Sequence, residues 1–334
     1  MSPEPASSAA AVPTSADADD VEELEDVRQR AQAPARTKWW LHIGLFVATC
    51  ASTTFAGAVN GGSWRAGAIF AATLMTILLA HEMGHYILAR RHKVDVSLPF
   101  FIPLPIGIGT MGAVIKMRGR IPSRDALVDI GAAGPLAGLL VAVPLLIIGV
   151  ALSPMGVSPP GGIQEGNSLL YVAIKLVLKG FYLPSGGVDV QLHPMAFAAW
   201  VGILVTFINL LPIGQLDGGH VAYGWLGHQR HDRFSAWLHR MLLAIGVVVA
   251  GALTLLAHRD GHSWGASAQH GAESALPWAV WTLMIYVMRR MAGGVYHPPV
   301  SGEILHPRQR RIAILILVVL VLIFTPVPMR EVLP

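Results

Sequence analysis

Long apolar runs separated by short clusters of bases and prolines organise this chain, and the runs are long enough to set its architecture. The first covers residues 39 or 40 to about 59, and the second covers residues 66 to 89. At 1.5 Å per helical residue the second reaches about 36 Å, enough for a hydrocarbon layer of about 30 Å. Residues 126 to 152, interrupted by Gly134-Pro135, form a third run, and residues 195 to 211, ending at Pro212, a fourth. Residues 237 to 257, 277 to 288 and 312 to 326 complete the series, the last two short enough to need flanking residues inside the bilayer. The pattern predicts an all-α polytopic membrane protein with about six to seven transmembrane helices. No internal repeat is visible, which weakens an inverted-repeat transporter as the explanation.

Two apolar segments do not fit as spans. In LPFFIPLPIGIGTMGAVI, residues 98 to 115, Pro99, Pro103, Pro105, Gly107, Gly109 and Gly112 forbid a continuous helix. Non-helical backbone at membrane depth survives only when protein shields it or a water-filled cavity runs beside it. The expectation is a small re-entrant β-hairpin between the second and third spans. In residues 169 to 178, with Lys175 and Lys179 four positions apart on one face and an apolar opposite face, the expectation is an interfacial helix.

Composition agrees with the pattern. Hydrophobic residues make up 53% and charged residues 13%, about half the charged share of an ordinary soluble domain. Residues 1 to 38 hold 8 of the 20 acids and 4 of the 24 bases, so 12 acids and 20 bases serve the remaining body. That tail has no apolar core and reads as a disordered, acidic, cytoplasmic segment rather than a signal peptide. The body, residues 39 to 334, reads as one transmembrane domain. Its bases sit in short clusters between apolar runs, which argues for juxtamembrane loops and against nucleic acid. With the tail inside and the spans alternating, 19 bases fall on the cytoplasmic side and five on the other, as the positive-inside rule requires. The single cysteine, Cys50, excludes an intrachain disulfide.

Of the body's acids, Glu82, Asp129 and Asp217 are read as lying in or against the apolar cores. A carboxylate there costs several kcal/mol unless it is paired or holds a cation, so each is a candidate for function. Glu82 belongs to His81-Glu82-Met83-Gly84-His85, an HExxH motif on the second span. One helical turn places His81 and His85 on one face where they can share a zinc ion, with Glu82 beside the open coordination position. Two imidazoles leave a catalytic zinc one protein ligand short. Asp217 is the best candidate for the third, because NLLPIGQLDGGH breaks a helix at Pro212 and unwinds it through glycines. A plain helix exit with a solvated aspartate would look the same in sequence. Asp129 is expected to pair with a base or cap a helix, and His220 to lie behind the ligands or at the cytoplasmic edge. His258, His262 and His270 are expected in one polar loop on the far side.

These residues carry a resemblance. HEMGH on an early span, followed by NLLPIGQLDGGH after a later one, resembles the site-2 protease family of intramembrane zinc metalloproteases, in its bacterial and plastid branch. LPFFIPLP, GTMGAVIKMRGRIPSRDALVDIGAAGPLAG and HPMAFAAWVGILVTFINLLPIGQLDGGH extend the likeness over roughly residues 66 to 225. The resemblance implies zinc on His81, His85 and Asp217, with Glu82 as general base and Asn209 positioning substrate or stabilising the oxyanion. It further implies an endopeptidase of the bacterial cell membrane that cuts single-span substrates such as anti-sigma factors or tethered regulators. The exposed edge of residues 110 to 118 is the expected place for an unwound substrate to add a strand. A metal-ion transporter using the same three ligands and an inactive binding relative are the competing classes. One compact cluster with a base beside it speaks against the first, and intact ligands speak against the second.

Overall fold

The computed structural model describes residues 38–119, 121–157, 161–300 and 305–333; the acidic tail expected at residues 1 to 38 lies outside them except for Lys38. Helices dominate. Among the described residues four are long and apolar enough to cross a membrane: α1 (Trp39–Gly61), α2 (Trp64–Arg91), α3 (Arg124–Leu152) and, later in the chain, His228–Arg259. Ser63 and Ser123 open α2 and α3, each side-chain oxygen accepting a hydrogen bond from an otherwise orphaned amide, that of Ala66 or Ala126. Between these two helices lie strands β1 (Phe100–Pro103) and β2 (Thr110–Val114), an antiparallel hairpin with Phe100 opposite Val114 and Phe101 opposite Ala113. Its tip turns through Gly107 and Gly109, both at positive φ. A side chain at Gly109 would lie 2.4 Å from the Thr53 backbone, while the Ser52 hydroxyl donates to the Gly109 carbonyl at 2.6 Å. The hairpin is therefore held against α1.

The break expected at Gly134-Pro135 does not occur, and α3 runs unbroken through Pro135 and Pro144. Proline removes one helical hydrogen bond, but helices packed in a membrane tolerate that loss where neighbours shield the freed carbonyl. Past α3 come β3 (Met155–Val157), β4 (Ile163–Glu165), helix α4 (Leu169–Lys179) and β5 (Val188–Val190). Strand β3 pairs with β5. Helix α4 keeps an exposed apolar face in Leu169, Leu176 and Val177, as an interfacial helix would, but its lysines turn into the protein. Lys175 is buried, with its ammonium 3.2 Å from Asp189 and over the Tyr171 ring, and Lys179 donates to the Ser153 carbonyl. Asp189 was not among the acids expected near the core; it is 2% exposed and also accepts from Gln164 at 2.8 Å. A pair this buried is tolerated because each charge answers the other and the remaining carboxylate oxygen is hydrogen-bonded.

Helices α5 (Pro194–Asn209), α6 (Asp217–Leu226), α7 (His228–Arg259), α8 (Trp264–Met291) and α9 (Pro307–Ile323) follow, and β6 (Met329–Glu331) pairs with β4. The core forms where α2, α3, α5 and α6 pack together, around Leu74, Ile77, Phe207 and Leu210. Helices α7 and α8 form a long antiparallel pair closed by Trp278. Leu243, Val247, Val248 and Leu255 stay more than half exposed on α7, a surface suited to lipid rather than water. His258, His262 and His270 do not share a polar loop. His258 ends α7 and stacks on Trp264, His262 lies in the tight turn between the helices, and His270 is buried inside α8.

Candidate metal centre

Helix α2 carries its two histidines four positions apart, so their rings project from one face at the depth of the core. Both are buried, His81 at 4% and His85 at 5% exposure. Opposite them the chain leaves α5 after Asn209, turns through Pro212 and Gly214, and re-enters helix at Asp217, the first residue of α6. The broken helix delivers a carboxylate to the imidazoles from 136 positions away. Asp217 Oδ2 stands 3.1 Å from His81 Nε2, Asp217 Oδ1 stands 3.2 Å from His85 Nε2, and the two Nε2 atoms are 3.2 Å apart.

This triangle fits a zinc ion. Ligand atoms about 2.0–2.1 Å from a tetrahedral centre lie about 3.3 Å from one another, close to the 3.2 Å between the two Nε2 atoms, and a different oxygen of Asp217 faces each of them. The tautomer agrees as well. His85 Nδ1 donates to the Ile130 carbonyl at 2.8 Å, which leaves a lone pair on Nε2 toward the group. Two imidazole nitrogens and a carboxylate so placed are a donor set that can hold a zinc-type cation. Among the described residues, this is the only set of three or more His, Cys, Asp or Glu side chains with ligand atoms so close together.

Neighbouring elements are shaped to admit these rings. A methyl group at Gly134 of α3 would fall 2.0 Å from His85 Nε2, and one at Gly131 would fall 3.0 Å from the Asp217 carbonyl. The Gly-Pro element that reads as a helix break is instead the bare surface against which the centre packs. Glu82 is 5% exposed and adjacent to His81, and makes no hydrogen bond with a described residue. Asn209 is half-buried at the end of α5, next to the turn that supplies Asp217.

The remaining predicted residues separate from the centre. Asp129 lies 3.1 Å from His92 Nε2 and accepts from Gln309 of α9, so it ties elements together as expected of a paired acid. His220, one turn after Asp217, is hydrogen-bonded to His297, a residue sequence reasoning did not single out. His297 follows α8 in a Gly-Gly-Val-Tyr-His-Pro-Pro stretch whose polarity gives no hint of burial, yet it is 1% exposed.

Comparison with known proteins supplies the ancestry of this geometry. Residues 69–253, more than half of the chain, match the profile of peptidase family M50. The chain is 35% identical over 188 residues to the probable zinc metalloprotease EGY1, chloroplastic, of Oryza sativa subsp. japonica, covering 54% of this chain and 32% of that protein. It is 34% identical over 175 residues to the Arabidopsis thaliana protein of the same name, covering 51% and 31%. With the probable zinc metalloprotease EGY2, chloroplastic, of Arabidopsis thaliana it shares 33% over 162 residues, covering 48% and 29%. The chain thus spans about a third of the length of these relatives, whose names place them in chloroplasts rather than in a bacterial membrane. No solved structure matches it.

Proposed function

The chain belongs to peptidase family M50, the site-2 protease family of membrane metalloproteases, and on that premise we propose that it is an intramembrane zinc endopeptidase cutting the transmembrane segments of membrane-anchored proteins. The observation that carries the reading is the cluster of His81, His85 and Asp217, with Glu82 beside His81 on a membrane-length helix. His81, His85 and Asp217 hold the ion. When bound, zinc lowers the pKa of a coordinated water toward neutrality and polarises the scissile carbonyl. Glu82 takes the proton from the attacking water and passes it to the leaving amine, the role its position next to His81 permits. His85 stays oriented through its bond to Ile130, and Asn209 positions the substrate peptide from the end of α5.

A transmembrane substrate hides its peptide bonds in its own helix, so it must unwind first. Strand β2 offers Met111 and Val114 half-exposed or more on a two-stranded ribbon, with no third strand beside it among the described residues, where an added strand could pair. In this reading α5, α8 and α9 join the four long helices as spans, giving about seven with the N-terminus cytoplasmic. The substrates are single-span proteins such as anti-sigma factors or tethered regulators. The test compares the parent with Glu82→Gln on a purified single-span substrate in mild detergent or liposomes. Cleavage should vanish in the variant while its bound zinc stays at the parent level; equal cleavage by both proteins would sink the mechanism.

A further inference from the structure

A second group of imidazoles lies one helical turn beyond Asp217. His220 Nδ1 approaches His297 Nε2 at 2.8 Å, with ring centroids 5.0 Å apart at 89°. The proposed zinc ligands His81 and His85 have the same centroid separation, 5.0 Å, at 67°. His231, at the start of α7, brings its ring within 5.8 Å of His297, and the Tyr223 ring stacks on His297 at 4.3 Å. His297 Nδ1 donates to the Pro298 carbonyl at 2.6 Å, so its Nε2 presents a lone pair to His220. His231 is fully buried, one ring nitrogen bonded to Ser235 and Nδ1 without a partner among the described residues. Asp232, next in the chain, also holds a buried carboxylate oxygen with no partner among them. Buried polar atoms are rarely left unpaired, and two of them beside a histidine pair point to a ligand that would engage them.

Borderline-soft nitrogen donors with a carboxylate nearby suit a zinc-type divalent cation. We propose that His220 and His297, with His231 as third donor, form a second and weaker site for such a cation, through which the His81–His85–Asp217 centre is filled. The loading role rests on the reading of that centre as the zinc site. Binding needs no net proton transfer to solvent. The proton between the two rings moves to His220 Nε2, freeing Nδ1 as a ligand opposite His297 Nε2. The nitrogens then separate from 2.8 Å to about 3.3 Å, the spacing of two ligands on one tetrahedral zinc. Three donors meet closely only at the first centre among the described residues. The second group must therefore adjust to bind, which makes it the weaker and faster-exchanging of the two, as a loading station requires.

The experiment uses the full chain carrying Glu82→Gln, free of affinity-tag histidines, stripped of metal and titrated with Zn2+ or Co2+. Two equivalents are expected, one tight and one weaker. Adding His220→Gln and His297→Gln should abolish only the weaker, and reloading of the stripped protein should slow about tenfold with the tight affinity unchanged. A single equivalent in the parent, a weaker equivalent that survives the double substitution, or unchanged reloading would each overturn the proposal. His81→Gln with His85→Gln separates the two readings. Loss of the tight equivalent with the weaker retained supports both, whereas a tight equivalent that persists contradicts the zinc centre itself.

Discussion

One methyl group at residue 134 would occupy the space that His85 fills, since a side-chain carbon there would lie 2.0 Å from Nε2 and 2.3 Å from Cδ2. The imidazole is held by Ile130 on its far nitrogen, so it cannot retreat without leaving the triangle. Gly134→Ala is therefore expected to lower bound zinc and to reduce cleavage about 100-fold, the scale of a 1 Å misplacement at a reacting centre. Metal analysis beside a cleavage assay checks it, with helix content unchanged. The histidine pair itself was legible, because HExxH on a helix places two rings together by periodicity alone. The partner glycine was not: Gly134-Pro135 carries the sequence signature of a break, and only the neighbouring helix shows why the surface must be bare.

Among elements, α4 departs furthest from its sequence pattern. Its spacing of Lys175 and Lys179 describes a solvated stripe, but Asp189, fourteen positions on, turns Lys175 inward. Local periodicity cannot report a partner supplied by another strand. Lys175→Met should destabilise the protein by roughly 3–5 kcal/mol by leaving a buried carboxylate unanswered. Lys175→Met with Asp189→Leu should recover part of that loss, both measured by unfolding in mild detergent. A cost for the double variant as large as for the single would show that the pair is not coupled. The β1–β2 hairpin behaved differently. Its prolines and glycines forbid a helix, and the structure has a pair of antiparallel strands there. If β2 receives substrate, Met111→Cys should cross-link to a cysteine near the scissile bond of the substrate in the Glu82→Gln background. Cross-linking confined to cysteines on α7 would place the substrate elsewhere.

At the scale of the whole chain, apolar runs located the helices better than they located their ends. The run starting at residue 237 belongs to α7, which begins nine residues earlier at His228, because a helix does not stop where its sequence leaves lipid. Those polar first turns carry His231 and Asp232 toward the cluster at His297. The distribution of bases predicts that a reporter inserted after Lys93 is cytoplasmic and one inserted after Gly261 lies across the membrane. Protection of both inserts on the same side would refute the alternating arrangement.

The sequence by itself pointed to a membrane protein, placed the two histidines of HExxH on one face of α2, and left acids scarce enough for Asp217 to stand out. Composition and helical periodicity are local or summed properties, and no folding is needed to read them. Tertiary structure decided which carboxylate meets the histidines, its two oxygens 3.1 and 3.2 Å from the two Nε2 atoms, which glycine makes room for His85, which lysine is buried, and that His297 meets His220. Each of these joins residues far apart in the chain, and a contact of that kind exists only once the helices have packed.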